Sequence, residues 1–306
     1  MRGARVPSAA RNARSFAFEH PGAVLAAILL VCIVVASALA PVIAPYDPFD
    51  LSSLDVLDAE LPPWWRSGSD PRFLLGTDAQ GRDLLSAILY GTRISLTVGV
   101  LAVLIQAVIG VSLGLFAGYR GGAIDSLVSR AADIQLSLST LMMAIIALAL
   151  FRAGLGGDAL SRYAVPLLVV VIGLAEWPYF ARTARAATQV EAAKDHVRAA
   201  RALGLTGFGV VRRHILPNVL SPLIVVATTQ VAGAIMNEAA LSFLGLGMPV
   251  TKPSLGTLIR SGYDLIFAGA WWVTVIPGLV LVALLVSVNV LGDALRDALN
   301  PRARRR

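Results

Sequence analysis

Six stretches of the chain are apolar for long enough to cross a bilayer, and strongly polar segments separate them. A helix needs about 20 apolar residues to traverse the hydrocarbon core. Gly22 to Ala44 carries no charge and is built mainly from Ala, Val, Leu and Ile. Ile94 to Ala117 lies between Arg93 and Arg120, and Ile134 to Phe151 lies between Asp133 and Arg152. Tyr163 to Ala181 is interrupted only by Glu176, Asn218 to Leu246 only by Glu238, and Leu265 to Gly292 by no charge at all. The pattern predicts an all-α, polytopic membrane protein with spans at 22–44, 94–117, 134–151, 163–181, 218–246 and 265–292. A polar loop over 45–93 and another over 182–217 interrupt the series.

Charge placement orients these spans. With the N-terminus inside, the segments assigned to the cytoplasm hold 18 of the 26 Lys and Arg residues. Four of them are Arg2, Arg5, Arg11 and Arg14, and seven lie between spans four and five. Basic residues accumulate on the cytoplasmic side of membrane proteins, so both termini are expected inside. These are the segment 1–21, with 14–20 lying along the inner surface, and the basic tail 302–306. Eight of the 19 acids fall between Asp47 and Asp83, in the first outer loop. The opening arginines and apolar run look like a signal peptide, but the run is too long and Pro41 to Pro45 offers no convincing cleavage pattern, so span one is expected to be retained.

Composition then removes several classes of function. Hydrophobic residues make up 57% of the chain and charged residues 15%, with a mean hydropathy of +0.73. A soluble globule could not hide that much apolar surface, so lipid must be the main solvent. The net charge of +7 is accounted for by topology and gives no reason to invoke nucleic acid. A single cysteine, Cys32, excludes a disulfide framework, and His20, His196 and His214 are too scattered for a metal centre. No phosphate-cradling GxxxxGK[ST] loop is present, so the chain itself is not expected to bind or hydrolyse nucleotide. No paired Ser/His, paired Asp or HExxH constellation within the spans supports a membrane enzyme.

Three polar or small-residue features stand out. The 45–93 loop is acidic and rich in proline, with Thr77 or Asp78 as the expected N-cap of an interfacial helix over 84–91. Gly110, Gly114 and Gly118 recur every fourth position, a spacing that lets helix backbones approach closely in lipid, either within the chain or against another subunit. The segment 182–217 reads as helix–turn–helix: Thr183 to Leu203 is rich in helix formers, Gly204 stops it, and a new helix restarts before Pro217. Such a construction suits a surface that transmits force to a soluble partner.

Individual residues carry sharper expectations. Glu238 lies within an apolar span and is a candidate for the pathway or gating, because intramembrane carboxylates usually face a cavity or partner. It either attracts a cationic substrate group or braces the protein near its outer face. Glu176 is expected to pair locally with Arg182 or Arg185. His214 suits the inner surface, Cys32 a lipid or helix contact, and Trp271 with Trp272 an aromatic belt at the start of span six.

The 198–218 stretch is where the sequence resembles a known family. Arg198-Ala199-Ala200, three residues, Gly204, nine residues, then His214-Ile215-Leu216-Pro217 is similar to the EAA loop of ABC-importer permeases. The sequence departs from that pattern at Arg198, where the family has Glu, and at His214, where it has an apolar residue. The literal Glu191-Ala192-Ala193 sits seven residues early and is out of register. Leu75 to Ser95, Glu238 to Gly247, and Leu291 to Pro301 are similar to peptide/nickel-type permeases of the dipeptide-permease C-subunit type, with Leu255 where Trp is commoner. The resemblance implies a type I importer arrangement and a path for di- or oligopeptides shared with a second permease. It implies two ATPase subunits that hold ATP and Mg, and a binding protein outside; no cofactor is expected in this chain. It assigns Arg198, Ala199, Ala200, Gly204, Leu216 and Pro217 to ATPase coupling. Nickel chelates, glutathione or opine-type solutes remain as alternative cargoes, and a stand-alone secondary transporter as an alternative architecture.

Overall fold

The computed structural model describes residues 21–50 and 55–299. The arginine-rich start, the 14–20 surface segment, Asn300, Pro301 and the basic tail lie outside them. All regular structure among the described residues is helical. Helix α1 (Pro21–Ala38) leads into the short α2 (Ala40–Ile43), where Pro41 sits in the first turn. Most of α1 is exposed, including Leu25, Ile28, Val31 and Val35, as expected of a helix whose solvent is lipid. The main body comprises α3 (Leu84–Arg120), α4 (Gly122–Ser137) and α5 (Thr140–Ala192). It continues through α6 (Asp195–Ala202), α7 (Gly207–Val210) and α8 (Leu216–Phe243) to α9 (Leu255–Tyr263) and α10 (Trp272–Leu299).

Five helical segments are long and apolar enough to span: Pro21–Ala38, Leu84–Arg120, Arg162–Ala192, Gly207–Phe243 and Trp272–Ala298. A sixth is the bent pair Gly122–Ser137 and Thr140–Phe151, counted as one. The extents differ from expectation in three places. No separate interfacial helix exists at 84–91, because α3 runs unbroken from Leu84 and projects beyond the hydrocarbon. Its N-cap is Asp83, whose carboxylate accepts from the Ser86 N–H at 2.8 Å, and not Thr77 or Asp78. Asp78 is otherwise engaged, closing a turn on Arg82.

Span three, short at 134–151 and expected to extend into the residues before it, does so, but through a break. Leu138 and Ser139 are extended, and the helices on either side are bent by 85°. Two ion pairs, Asp125 with Arg185 and Asp133 with Arg182, tie α4 to α5 and hold that bend. Residues 152–162, expected as an outer loop, are helical and join the third and fourth expected spans in α5. Ala153, Leu155, Ala159 and Leu160 are strong helix formers and offset the three glycines among them.

Two apolar cores organise the bundle. One gathers Val98, Ala102, Ile172, Phe180 and Leu223 from α3, α5 and α8, and extends to Val197, Ala200 and Ile215 near the end that the charge placement assigns to the cytoplasm, the inner end. The other gathers Leu84, Ile88, Ile235, Leu258 and Val273 at the outer end. The glycine stripe resolves as intramolecular packing. A side-chain carbon at Gly110, Gly114 or Gly118 would strike Trp177, Ala181 or Arg185 backbone oxygens of α5. Removing three side chains lets the two longest helices approach closely, where contact replaces the hydrophobic force that lipid cannot supply.

Candidate functional site

The polar segment 182–217 is helical with a turn at Gly204, as expected, but its helices are divided differently. Residues 182–192 still belong to α5, and a break at Ala193 and Lys194 separates them from α6, so 183–203 is not one helix. Helix α6 has one apolar side: Val197 and Ala200 are buried, whereas Arg198, Ala199 and Arg201 are exposed. The chain then reverses at Gly204, whose φ of +83° belongs to the left-handed region that glycine enters at low cost. Thr206 caps α7 by accepting from the Gly209 N–H. A single π-helical turn over Val211–Ile215 joins α7 to α8, and Pro217 sits in the first turn of α8. Proline has no N–H to continue an α-helical register, and widening the preceding turn is one way to absorb that gap.

Arg198, Ala199 and Gly204 therefore share an exposed surface, with Ala200 anchored beneath it. Leu216 is half-buried and Pro217 exposed at the root of α8, close in sequence to the surface but serving as its base. Arg198 makes only a 4.0 Å approach to Asp195 and keeps a side chain 69% exposed. Two large apolar residues stand beside it: Leu203 is 81% exposed and Phe208 76%. Arg201 lies over the Tyr119 ring at 4.6 Å, tying the loop to the end of α3. A mixed basic and apolar surface held on a short, braced helix is suited to docking a protein.

Sequence reasoning missed the residue that holds this loop in place. Glu191, set aside as part of an out-of-register triplet, is buried at 5% exposure. Its carboxylate meets Lys194 Nζ at 2.5 Å and His196 Nε2 at 3.3 Å, and accepts from the Asn218 amide at 2.9 Å. Charged neighbours at i+3 and i+5 were the available signal.

The two intramembrane acids lie in different surroundings. Glu238 is fully buried, and its two oxygens accept from Ser95 at 2.6 Å and Ser242 at 2.7 Å. Glu176 does not pair with Arg182 or Arg185, which are taken by α4. Instead it accepts from the amides of Asn237 at 2.9 Å, Gln230 at 3.3 Å and Gln106 at 3.4 Å, linking α3, α5 and α8. The open cleft at the outer end, lined by Phe49, Tyr90, Arg93, Thr97 and Lys252 among others, includes neither acid.

The outer loop is stapled by a buried ion pair, Arg82 with Asp78 at 2.6 Å, and Arg82 also donates to the Val250 carbonyl at 2.7 Å. Burial pushes the neighbouring Asp83 carboxyl above the ordinary range, while Arg72 holds the half-buried Asp70 below it. Trp271 is exposed as an interfacial anchor should be. Trp272 is not: it is buried, with the Arg66 guanidinium 5.2 Å from its ring centre. Cys32 is exposed on α1. No cluster of three His, Cys, Asp or Glu able to hold a metal occurs among the described residues.

Comparison with known proteins extends across nearly the whole chain. Residues 110–305 match the family model for a binding-protein-dependent transport system inner membrane component, and 10–63 that for the N-terminal transmembrane domain of oligopeptide transport permease C. The dipeptide transport system permease protein DppC of Haemophilus influenzae is 38% identical over 287 residues, 93% of this chain and 92% of that protein. The di/tripeptide counterpart of Pseudomonas aeruginosa is 38% identical and the dipeptide counterpart of Escherichia coli 40%, each over 93% of this chain and 90% of its own. Among solved structures, an inward-facing MetNI methionine ABC transporter superposes with a TM-score of 0.56 at 21% identity. That match covers 70% of this chain and 96% of the other, and it shows a shared fold.

Proposed function

The chain belongs to the binding-protein-dependent transport system inner membrane components, transport subunits rather than enzymes; from that premise we propose that it forms half of an ATP-driven path for dipeptides and other short peptides. The observation that carries the substrate is the 38–40% identity, over 93% of the chain, to permeases whose names specify dipeptides or di/tripeptides. A nickel-chelate, glutathione or opine-type cargo has no comparable support, nor has a stand-alone transporter.

In this reading a second, homologous permease completes the path, and a binding protein delivers cargo outside. Two ATPase subunits, which hold ATP and Mg, dock on the cytoplasmic loop, with the chain set in the bacterial inner membrane and both termini cytoplasmic. Arg198, Ala199, Ala200 and Gly204 offer the docking surface. Leu216 and Pro217 carry its movement into α8. ATP-driven closure of the partner subunits pulls on this loop, α8 tilts, and the cavity between the permeases changes the side it faces. The exposed Leu203 and Phe208 support the reading, since large apolar groups at an inner surface call for a protein cover. Glu238, enclosed by serines, acts as a brace at the outer end of α8. The test is uptake of a labelled dipeptide by vesicles containing the full assembly and ATP. Saturable, ATP-dependent uptake competed by other dipeptides is expected, and uptake of a nickel chelate with none of a dipeptide would overturn the cargo assignment.

A further inference from the structure

Helix α6 has eight residues, too few to hold a fixed direction without tertiary ties. Its apolar tie is the burial of Val197 and Ala200. Its polar tie runs through one carboxylate. Glu191 is the penultimate residue of α5; it engages Lys194 and His196, which bracket the start of α6, and Asn218 in the first turn of α8. Asn218 itself donates to the His214 carbonyl at 2.8 Å, so the same amide grips the π-turn that precedes Pro217. Three segments thus meet on a side chain that is almost wholly buried, beneath the docking surface and not on it.

We infer that Glu191 is a positioning residue for coupling: it is the joint through which movement of α6 reaches α8. This rests on the proposed docking of ATPases to the loop. A partner that pushes α6 moves Lys194 and His196, and the shared carboxylate passes that displacement to Asn218. A buried carboxylate makes a stiff joint because parting from Lys194 would leave its charge uncompensated, while parting from Asn218 would cut its tie to α8. Arg198, Ala199 and Gly204 touch the partner in this picture, whereas Glu191 acts through α8. Its loss should spare docking and weaken transmission.

The test uses the complete assembly in vesicles, with this chain carrying Glu191→Gln or Asn218→Ala. ATP hydrolysis and dipeptide uptake are measured together. A single cysteine replacing the exposed Phe243 at the outer end of α8, with Cys32→Ser, reports ATP-driven change in reactivity toward a thiol reagent. Both single variants should assemble and hydrolyse ATP near the unmodified rate, yet move about five- to a hundredfold less peptide per ATP. The Phe243→Cys response to ATP should shrink in parallel. Variants with normal uptake per ATP, or losses that merely track assembly, would overturn the joint. If the unmodified assembly shows the ATP-driven response but takes up no dipeptide, the cargo reading fails alone, and the joint is still judged by the cysteine response. If the unmodified assembly shows no ATP-driven response, both fail.

Discussion

The two ends of α8 are built on opposite principles. At the outer end the buried charged groups find their partners within the chain: Glu238 sits between Ser95 and Ser242, and Gly256 of α9 presses on the Ala239 backbone. Arg82 and Asp78 close the loop above. At the inner end the chain leaves Arg198, Leu203 and Phe208 uncovered and spends its one buried carboxylate on orienting them. The outer end is braced by these internal contacts, whereas the inner end holds basic and large apolar groups exposed on a short helix and turn. Buried, mutually satisfied groups should therefore report on stability, and the exposed inner groups on coupling.

The largest effect should come from breaking the outer staple. Asp78→Ala leaves Arg82 buried without its partner, a change that costs about 3–5 kcal/mol where such pairs are broken. Thermal unfolding of the purified assembly should drop sharply; an unchanged midpoint would show that the outer loop is not a structural cap. Next is Gly114→Val, which drives a side chain into the Ala181 backbone and Ala184. Overpacking costs about 1–3 kcal/mol. Yield of folded chain should fall, while Gly233→Ala, where no neighbour lies within 4 Å, should be silent.

A smaller effect is expected at Glu238. Glu238→Gln keeps oxygen and volume but disrupts one of the two serine contacts, and a net hydrogen bond contributes about 0.5–1.5 kcal/mol. Stability should decline modestly, and uptake of free-amine and N-acetylated peptides should fall equally. A selective loss for free-amine peptides would make Glu238 a substrate contact instead. The mildest perturbation probes sidedness. Cysteines at Ser67 and Thr206 in a Cys32→Ser background should react with an impermeant thiol reagent from opposite faces of the membrane, and equal labelling would contradict the topology.

Much of this was legible in the residues alone. Long uncharged runs have one physical solution in a bilayer, so the spans were readable to within a turn or two along α1 and α10. The glycine stripe announced a close helix contact, and Gly204 announced a left-handed turn. What escaped were features set by partners distant in the chain. Residues 182–192 read as the start of a separate helix because a helix leaving the membrane turns polar without ending. The 85° break after Ser137 has no proline or glycine to mark it, and it is held by Arg182 and Arg185 some fifty residues away. Those arginines are therefore not free for Glu176, whose three amide partners come from two other helices. Glu191 was passed over because its triplet was judged by register, while its burial depends on α8 packing over it.

If the inner loop transmits the work of ATP hydrolysis, Gly204→Val should break that link. Gly204 has a positive φ and open space around it, so valine strains the turn of the loop without crowding any neighbour. The expected result is an assembled transporter that still hydrolyses ATP but moves far less peptide for each ATP consumed. An assembled Gly204→Val transporter with the unmodified ratio of uptake to hydrolysis would contradict it.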